Sequence, residues 1–275
     1  MNEENGSAWM KSRGWEVPEF EARVFKDTRK RWAVIVPVIN EGEKFKKQIE
    51  KMTPYLSEAD LIVADGGSTD GSMDGLEQTV VSAVLIKRGP GKLSAQLRMA
   101  FAWALYRGYE GMIIVDGNGK DGVEAIPDFI HELSSGVDFV QGSRYVPGGV
   151  AINTPLDRHL AVMLIHAPLI SLSAGKRYTD TTNGFRAFSR RLLEDKRVQP
   201  FRNIFDTYNL HFYLAIRAAR LGFSVKEIPV TKTYPSAGKT PTKISGMKGR
   251  ILIFRQLLEA VLHRYDPPGE AGNGR

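Results

Sequence analysis

The residues best suited to chemistry lie in the stretch Val115-Asp116-Gly117-Asn118-Gly119-Lys120-Asp121. A carboxylate and an amide stand two positions apart, directly after the apolar run Met112-Ile113-Ile114-Val115. Side chains alternate along a strand, so Asp116 and Asn118 share one direction from a loosening strand end. Two oxygen donors placed that way suit a hard cation, Mg²⁺ or Mn²⁺, which takes few protein ligands and fills its shell with water and phosphate oxygens. A metal held between a protein and a diphosphate serves the departure of that diphosphate. Taken alone, an Asp-Gly-Asn run is more often an ordinary turn. Its neighbours along the chain change that balance.

The elements that must position this stretch follow a strand–helix alternation that begins at Arg31. Residues 33–38 are a continuous apolar run of the kind found in a buried parallel strand, ended by Pro37 and Asn40-Glu41-Gly42. Phe45, Ile49, Met52 and Leu56 come next, at helical spacing. Residues 61–64 and 80–86 supply two more strands, and Leu93, Leu97, Ala100, Phe101 and Ala104 line one face of a helix. Residues 112–115 form a fourth strand, Ile126, Phe129, Ile130 and Leu133 mark another amphipathic helix, and 137–141 a fifth strand. This pattern predicts an α/β fold with a Rossmann-like, mainly parallel sheet flanked by helices. Residues 1–30 read as a polar, irregular arm with scattered Trp9, Trp15 and Phe20. Residues 31–245 form the main domain, and 246–275 an amphipathic helix and flexible tail. Ligands of such sheets lie beyond the C-terminal strand ends. All the candidate motifs, at 37–41, 65–71, 116–121 and 142–145, fall there.

Composition sets the outer bounds. A chain of 275 residues with 42% hydrophobic and 25% charged residues can bury a full core. The absence of cysteine excludes a disulfide framework and a thiolate metal site, and fits a reducing compartment. No apolar run reaches the roughly 18 residues of a membrane span, and the N-terminus lacks the basic-then-apolar order of a signal peptide. The expected location is the cytoplasm, or the cytosolic face of a membrane. A net charge of +7 points to anionic partners. Residues 26–31 and 226–255 concentrate basic side chains without interleaved aromatics, and no zinc-finger or helix-turn-helix spacing occurs, so no nucleic-acid partner is expected.

Asp65-Gly66-Gly67-Ser68-Thr69-Asp70-Gly71 lets backbone approach a ligand, and Asp65 offers an acceptor to a base or ribose. Its second half reads as a turn in which Asp70 caps the next helix. Neither G-x-G-x-x-G nor a Walker lysine motif is present. The run from Val34 through Pro37 to Glu41, then Val63 to Gly71, then Asp116-Gly117-Asn118, resembles the successive nucleotide-sugar signatures of family 2 glycosyltransferases of GT-A fold. Gly142-Ser143-Arg144-Tyr145-Val146-Pro147-Gly148-Gly149, Asp180-Thr181-Thr182-Asn183-Gly184-Phe185-Arg186 and Glu227-Ile228-Pro229-Val230 resemble the dolichol-phosphate mannose synthase and polyprenyl-phosphate branch. The resemblance spans about residues 32 to 245.

That resemblance implies roles. Pro37, Glu41 and Asp65 line the nucleoside pocket, with Gly117, Lys120 and Lys243 completing the donor side and Lys239 a second choice to Lys243. Asp116 and Asn118 hold Mg²⁺ or Mn²⁺, and Arg144 and Arg158 take the phosphate of a lipid acceptor. The implied reaction is inverting transfer from GDP-mannose or a UDP-hexose to a polyprenyl or dolichyl phosphate. The chain departs from the pattern at Gly66, where the family carries a second acid, at Asn118, its second metal acid, and at Lys120, often a glutamine. Two other functions stay open: a hydroxyl acceptor, for which Asp180 would be the base, and a silent nucleotide-binding protein. His159 and His166 read as packing or surface residues. The apolar segment 160–172 and the face shared by Ile251, Phe254, Leu258, Val261 and Leu262, rimmed by Arg250, Arg255 and Arg264, are expected to lie on an anionic membrane surface.

Overall fold

A computed structural model describes residues 3–27, 29–236 and 246–268. In chain order the elements begin with α1 (Glu3–Ser12), β1 (Phe20–Val24), β2 (Trp32–Val38), α2 (Glu43–Met52), β3 (Ala59–Asp65), β4 (Val81–Lys87) and α3 (Leu93–Tyr106). Next come β5 (Gly111–Ile114), α4 (Ile126–Ser134), β6 (Phe139–Ser143), β7 (Val150–Ile152), α5 (Leu156–Ala161), a π-helical turn (Val162–His166) and α6 (Ala167–Ala174). The remainder is β8 (Arg186–Ser189), α7 (Arg190–Glu194), α8 (Asn209–Arg220), β9 (Val225–Pro229), β10 (Thr231–Thr233) and α9 (Gly246–Val261).

Among the described residues the strands form an eight-stranded sheet, ordered β1-β4-β3-β2-β5-β8-β6-β9, and a separate β10-β7 pair. Strands β4, β3, β2 and β5 run parallel to one another. The sheet is mixed, because β1 pairs antiparallel with β4, and β8 lies antiparallel between β5 and β6. The continuous apolar strands divide by alternation. Ala33 and Ile35 of β2 pack into one core with Ile62, Leu85 and α3. Val34, Val36 and Val38 pack into a second core with Phe45, Ile49 and Met52 of α2 and with Phe129 and Ile130 of α4. A strand buried on both faces therefore needs apolar side chains at every position. Helix α3 is buried from Ser94 to Leu105, so it shows little amphipathicity.

Over its described residues, the expected irregular arm of residues 1–30 instead forms α1 and β1. Met10 of α1 is buried, Trp9 meets Trp15 edge-on at 5.2 Å, and Trp15 stacks on Phe201 at 3.9 Å between centroids. Strand β1 closes the sheet edge by pairing with β4 from Phe20↔Lys87 to Val24↔Ala83. The anchors are too few and too irregularly spaced to show a period, and tertiary packing alone orders them. Among the described residues no helix is long and apolar enough to cross a membrane.

If the N-terminal segment contributes to the core in this way, Trp15→Ala should lower the unfolding free energy by about 2 kcal/mol, below the usual core value because Trp15 is only half-buried. Urea denaturation followed by circular dichroism would read this; an unchanged midpoint would contradict the packing.

Candidate active site

Strand β5 ends at Ile114, and the amide of Val115 still bonds the carbonyl of Ile35 at 3.1 Å before the chain turns into the Asp116 loop. Helix α2 holds that loop from below. Gln48, on the buried face of α2, donates to the Asp116 carbonyl at 2.7 Å and accepts from the Gly119 amide at 2.8 Å. Gly117 packs against β2, where a Cβ would fall 3.0 Å from the Pro37 carbonyl oxygen.

Strand β10 holds the same loop from the side: Gly122 N–H donates to Thr231 at 2.8 Å, and Thr233 N–H donates to Lys120 at 2.8 Å. This register drives Lys232 inward. Its ammonium donates to Asp121 Oδ1 at 2.8 Å, Asp116 Oδ2 at 3.0 Å and Asn183 Oδ1 at 3.2 Å. Asp121 in turn accepts the Asp116 amide at 3.1 Å. Burial alone would push the Lys232 ammonium down, but the Asp121 and Asp116 carboxylates outweigh it and hold its pKa above the ordinary lysine range. For Asp116, burial works upward, and Lys232 outweighs it to leave the carboxyl below its ordinary value. The Asp116 side chain keeps 26% exposure, whereas that of Asp121 has none. The Asp116 Oδ1 lies so close to Gly184 that a Cβ there would come within 2.5 Å, so only glycine fits opposite this oxygen.

Asn118 turns its amide oxygen onto the Lys120 amide at 3.2 Å. The Lys120 ammonium lies 5.2 Å from the Tyr234 ring centroid, and the Arg158 guanidinium lies 5.6 Å from the same ring. Burial, followed by Lys232 and Arg158, lowers the Lys120 pKa, while Asp116 and Glu41 oppose that shift. Of the expected site residues, Asp116, Glu41 and Arg158 thus lie close enough to act on the Lys120 ammonium, and Asn118 contacts the Lys120 backbone. Among the described residues no group of three or more His, Cys, Asp or Glu could hold a metal.

At the ends of the neighbouring strands, Val38 and Asp65 are partners in the parallel β2–β3 pair. Asp65 is buried, and its carboxylate accepts from the Ser68 amide and, at 2.6 Å, from the Ser68 hydroxyl. The Ser68 hydroxyl also receives the Asn40 amide at 2.9 Å, so the two strand-end loops are tied together. Gly66, where the family pattern has an acid, has no room for one. The Gln96 amide donates to the carbonyls of Val38 and Ala64, and a Cβ at position 66 would meet its nitrogen at 2.9 Å.

On the opposite side, Arg144 follows β6. Its side chain is 2% exposed, and it donates through Nε to Asp180 Oδ2 at 2.6 Å, and through Nη2 to Asp180 Oδ1 at 2.9 Å and to the Thr182 hydroxyl at 3.1 Å. The expected open guanidinium has therefore spent its Nε–Nη2 edge within the protein. Asp180 is wholly buried and has both oxygens engaged, which leaves it no edge for the base role considered from the sequence. Glu227 fixes the adjoining segment by accepting the Thr179 and Asp180 amides. Arg158 of α5 is half-buried beside Tyr234, and His159 meets the Tyr145 hydroxyl at 3.2 Å. Lys239 and Lys243 lie outside the described residues.

Sequence reasoning missed Lys232, Gln48, Gln96, Arg186 and His211. Arg186 is buried and donates to the carbonyls of Asn183, His211 and Thr181. Burial, reinforced by Arg186, pushes the His211 imidazole down to about 3, so it is neutral beneath the site. Only Lys232 left a signal: a charge flanked by threonines just after the Glu227-Ile228-Pro229-Val230 motif.

Comparison with known proteins gives the class: the chain has the fold of GT-A glycosyltransferases and is similar in sequence to glycosyltransferases acting in polyprenyl-phosphate chemistry. It is 29% identical over 230 residues to polyprenol monophosphomannose synthase of Mycolicibacterium smegmatis, covering 82% of this chain and 85% of the relative. It is 27% identical to undecaprenyl-phosphate mannosyltransferase of Micrococcus luteus, covering 78% of this chain and 88% of the relative. Glucosyl-3-phosphoglycerate synthase of Mycobacterium tuberculosis, solved with Mn²⁺, uridine diphosphate and phosphoglyceric acid, shares the fold at a TM-score of 0.61 with 18% identity. That superposition covers 90% of this chain and 82% of the other. No protein-family model matches the chain.

The Arg144–Asp180 pair generates a stability test. Removing one partner of a buried ion pair leaves the other charge uncompensated, which costs about 3–5 kcal/mol. Arg144→Ala should therefore lower the denaturation midpoint sharply, whereas Arg158→Ala should leave it nearly unchanged. Equal effects of the two substitutions would contradict this division.

Proposed function

We propose that the protein moves a sugar from a nucleoside diphosphate, GDP-mannose or a UDP-hexose, to the phosphate of a polyprenol, with inversion at the anomeric carbon. The observation that carries this reading is the pair of cations at one ring near Asp116, the Lys120 ammonium 5.2 Å and the Arg158 guanidinium 5.6 Å from Tyr234, an arrangement suited to phosphate-bearing substrates. The mannosyl transfer to polyprenyl carriers named for its two relatives supports it. Pro37, Glu41 and Asp65 take the nucleoside, Gly117 and Lys120 border the diphosphate, and Lys243 adds to the donor side. Asp116 Oδ1 and Asn118 fit a divalent ion, Mg²⁺ or Mn²⁺: one charged and one neutral oxygen donor leave several positions for diphosphate oxygens and water. When bound, such an ion neutralises charge on the departing diphosphate.

An oxygen of the acceptor phosphate attacks the anomeric carbon from the side opposite the nucleotide. The new carbon–oxygen bond forms as the old one breaks, and its electron pair leaves on the diphosphate. A phosphate is ionised near neutral pH, so no strong base is required. The barrier falls through alignment and through fixed charge at the leaving group. Arg158 takes the acceptor phosphate, and Arg144 stabilises the same end by fixing Asp180.

Helix α5 joins that phosphate position to an apolar rim. Arg158 and His159 face Tyr234 and Tyr145, while Leu156 and Leu164 are each 70% exposed and Leu172 is 82% exposed. Ile251, Phe254 and Leu262 of the α9 region add further apolar surface, and Arg250 bonds Asp157 across the two helices at 3.1 Å. A substrate with a charged head and a hydrocarbon tail matches this arrangement, and so does a peripheral position on an anionic membrane.

Purified protein incubated with a panel of nucleotide sugars, with and without polyprenyl phosphate, tests the reading directly. Asp116→Ala should abolish transfer without changing the fold. Arg158→Ala should raise the acceptor KM or lower turnover by roughly ten- to a hundredfold, the loss of one charge-assisted phosphate contact, while nucleotide binding stays unchanged. Glycosylation of hydroxyl acceptors alone would refute the proposal.

A second measurement addresses the surface. Wild type should sediment with vesicles containing anionic phospholipid, and Leu156→Asp combined with Leu164→Asp should release it, since exposed side chains can be changed without loss of core. Sedimentation that is indifferent to these substitutions would place the membrane contact elsewhere or nowhere.

A further inference from the structure

Lys232 places in the Asp116 centre a buried cation that the transfer chemistry does not by itself require. Its ammonium already neutralises the charges a hard metal would seek. It contacts Asp116 at 3.0 Å and Asp121 at 2.8 Å, and its side chain is only 6% exposed. It has no easy way out. The loop and β10 are bonded on both sides of it, through Gly122 to Thr231 and through Thr233 to Lys120. Its departure would strand the Asp121 carboxylate, which has no exposure, without a counter-charge. Among the described residues no group of three or more acidic or histidine side chains is there to hold a metal, and beside Asp116 stand the Lys120 ammonium and the Arg158 guanidinium. The affinity of an oxygen site for a divalent cation rises with the charge of its ligands. Two carboxylates balanced by Lys232 and Lys120, with Arg158 beside them, present no net negative charge.

We infer that Lys232 is a resident counter-cation of the Asp116 centre, which keeps the donor-free protein from binding a divalent metal and reserves the site for metal arriving on a nucleoside diphosphate. The diphosphate supplies the negative charge that the protein withholds, so metal and donor enter together. This rests on the proposed function only in taking a nucleoside diphosphate as the donor, and it is indifferent to the acceptor.

The test is Mn²⁺ binding, read from the electron paramagnetic resonance signal of the free ion, with Mn²⁺ alone and with GDP or UDP added. Wild type should leave Mn²⁺ free without nucleotide and take it up with one of the two nucleotides. Lys232→Gln should bind Mn²⁺ alone roughly tenfold or more tightly than wild type, and Lys232→Arg, which keeps the charge, should behave as wild type. Should Lys232→Gln fail to fold by circular dichroism, the double variant Lys232→Gln/Asp121→Asn removes the buried pair together, and should still bind Mn²⁺ alone more tightly than wild type. Nucleotide-independent Mn²⁺ uptake by wild type, or equal affinities in wild type and the folded variant, would overturn the inference. Nucleotide-dependent Mn²⁺ uptake by a protein that transfers no sugar to polyprenyl phosphate would refute the function and leave this inference standing.

Discussion

The site depends on one buried ammonium. Lys232 joins the loop after β5, through Asp116 and Asp121, to the segment before β8, through Asn183, from a strand outside the main sheet. Burying two carboxylates in contact with apolar strands is unfavourable unless their charge is compensated and their lone pairs are filled. Here both conditions are met by one side chain together with the Asp116 amide. The consequence is geometric. Asp116 cannot rotate freely, because one oxygen is held by Lys232 and the other lies against Gly184, where a Cβ would come within 2.5 Å.

A second buried pair gives the same rigidity beyond β6. Arg144 and Asp180 satisfy each other, and Glu227 anchors the backbone that carries Asp180. Arg186 completes the floor by crosslinking three backbone carbonyls, although burial lowers its pKa to about 10. The basic residues here differ in how they are held. Lys232, Arg144 and Arg186 are buried against carboxylates or backbone carbonyls, whereas Lys120 and the half-buried Arg158 lie against the Tyr234 ring. A basic sequence composition alone does not separate the two groups.

That separation explains what was legible in the sequence. Runs such as 33–38 and 112–115 announced buried strands because burial on both faces demands continuous apolar residues, and the motifs at their C-terminal ends followed from the topology of parallel sheets. Strand β8 was invisible: its four residues begin with an arginine, and its antiparallel course is decided by neighbours distant in sequence. The N-terminal segment failed for a related reason, since Trp15 and Met10 are ordered by contacts with Phe201 and α3 and not by local pattern. Lys232 was legible as a charge but not as a buried one. Its inward direction comes from the register of β10 against β7 and Lys120, and no window of the sequence contains that information.

The departures from the family pattern arise from the same packing. At position 66 an acid would collide with the Gln96 amide, which stitches the ends of β2 and β3, so the loss of one donor-side carboxylate is coupled to the gain of an internal hydrogen-bond bridge. At position 118 a neutral amide replaces an acid in a loop that already holds Asp116 and Asp121 against Lys232. A third carboxylate there would add a negative charge to two that Lys232 and Lys120 already balance. Asn118 retains the oxygen donor and omits the charge. The substitutions that look like weakened catalytic signatures in the sequence are, in the folded chain, the ones compatible with a site whose charge is balanced from within.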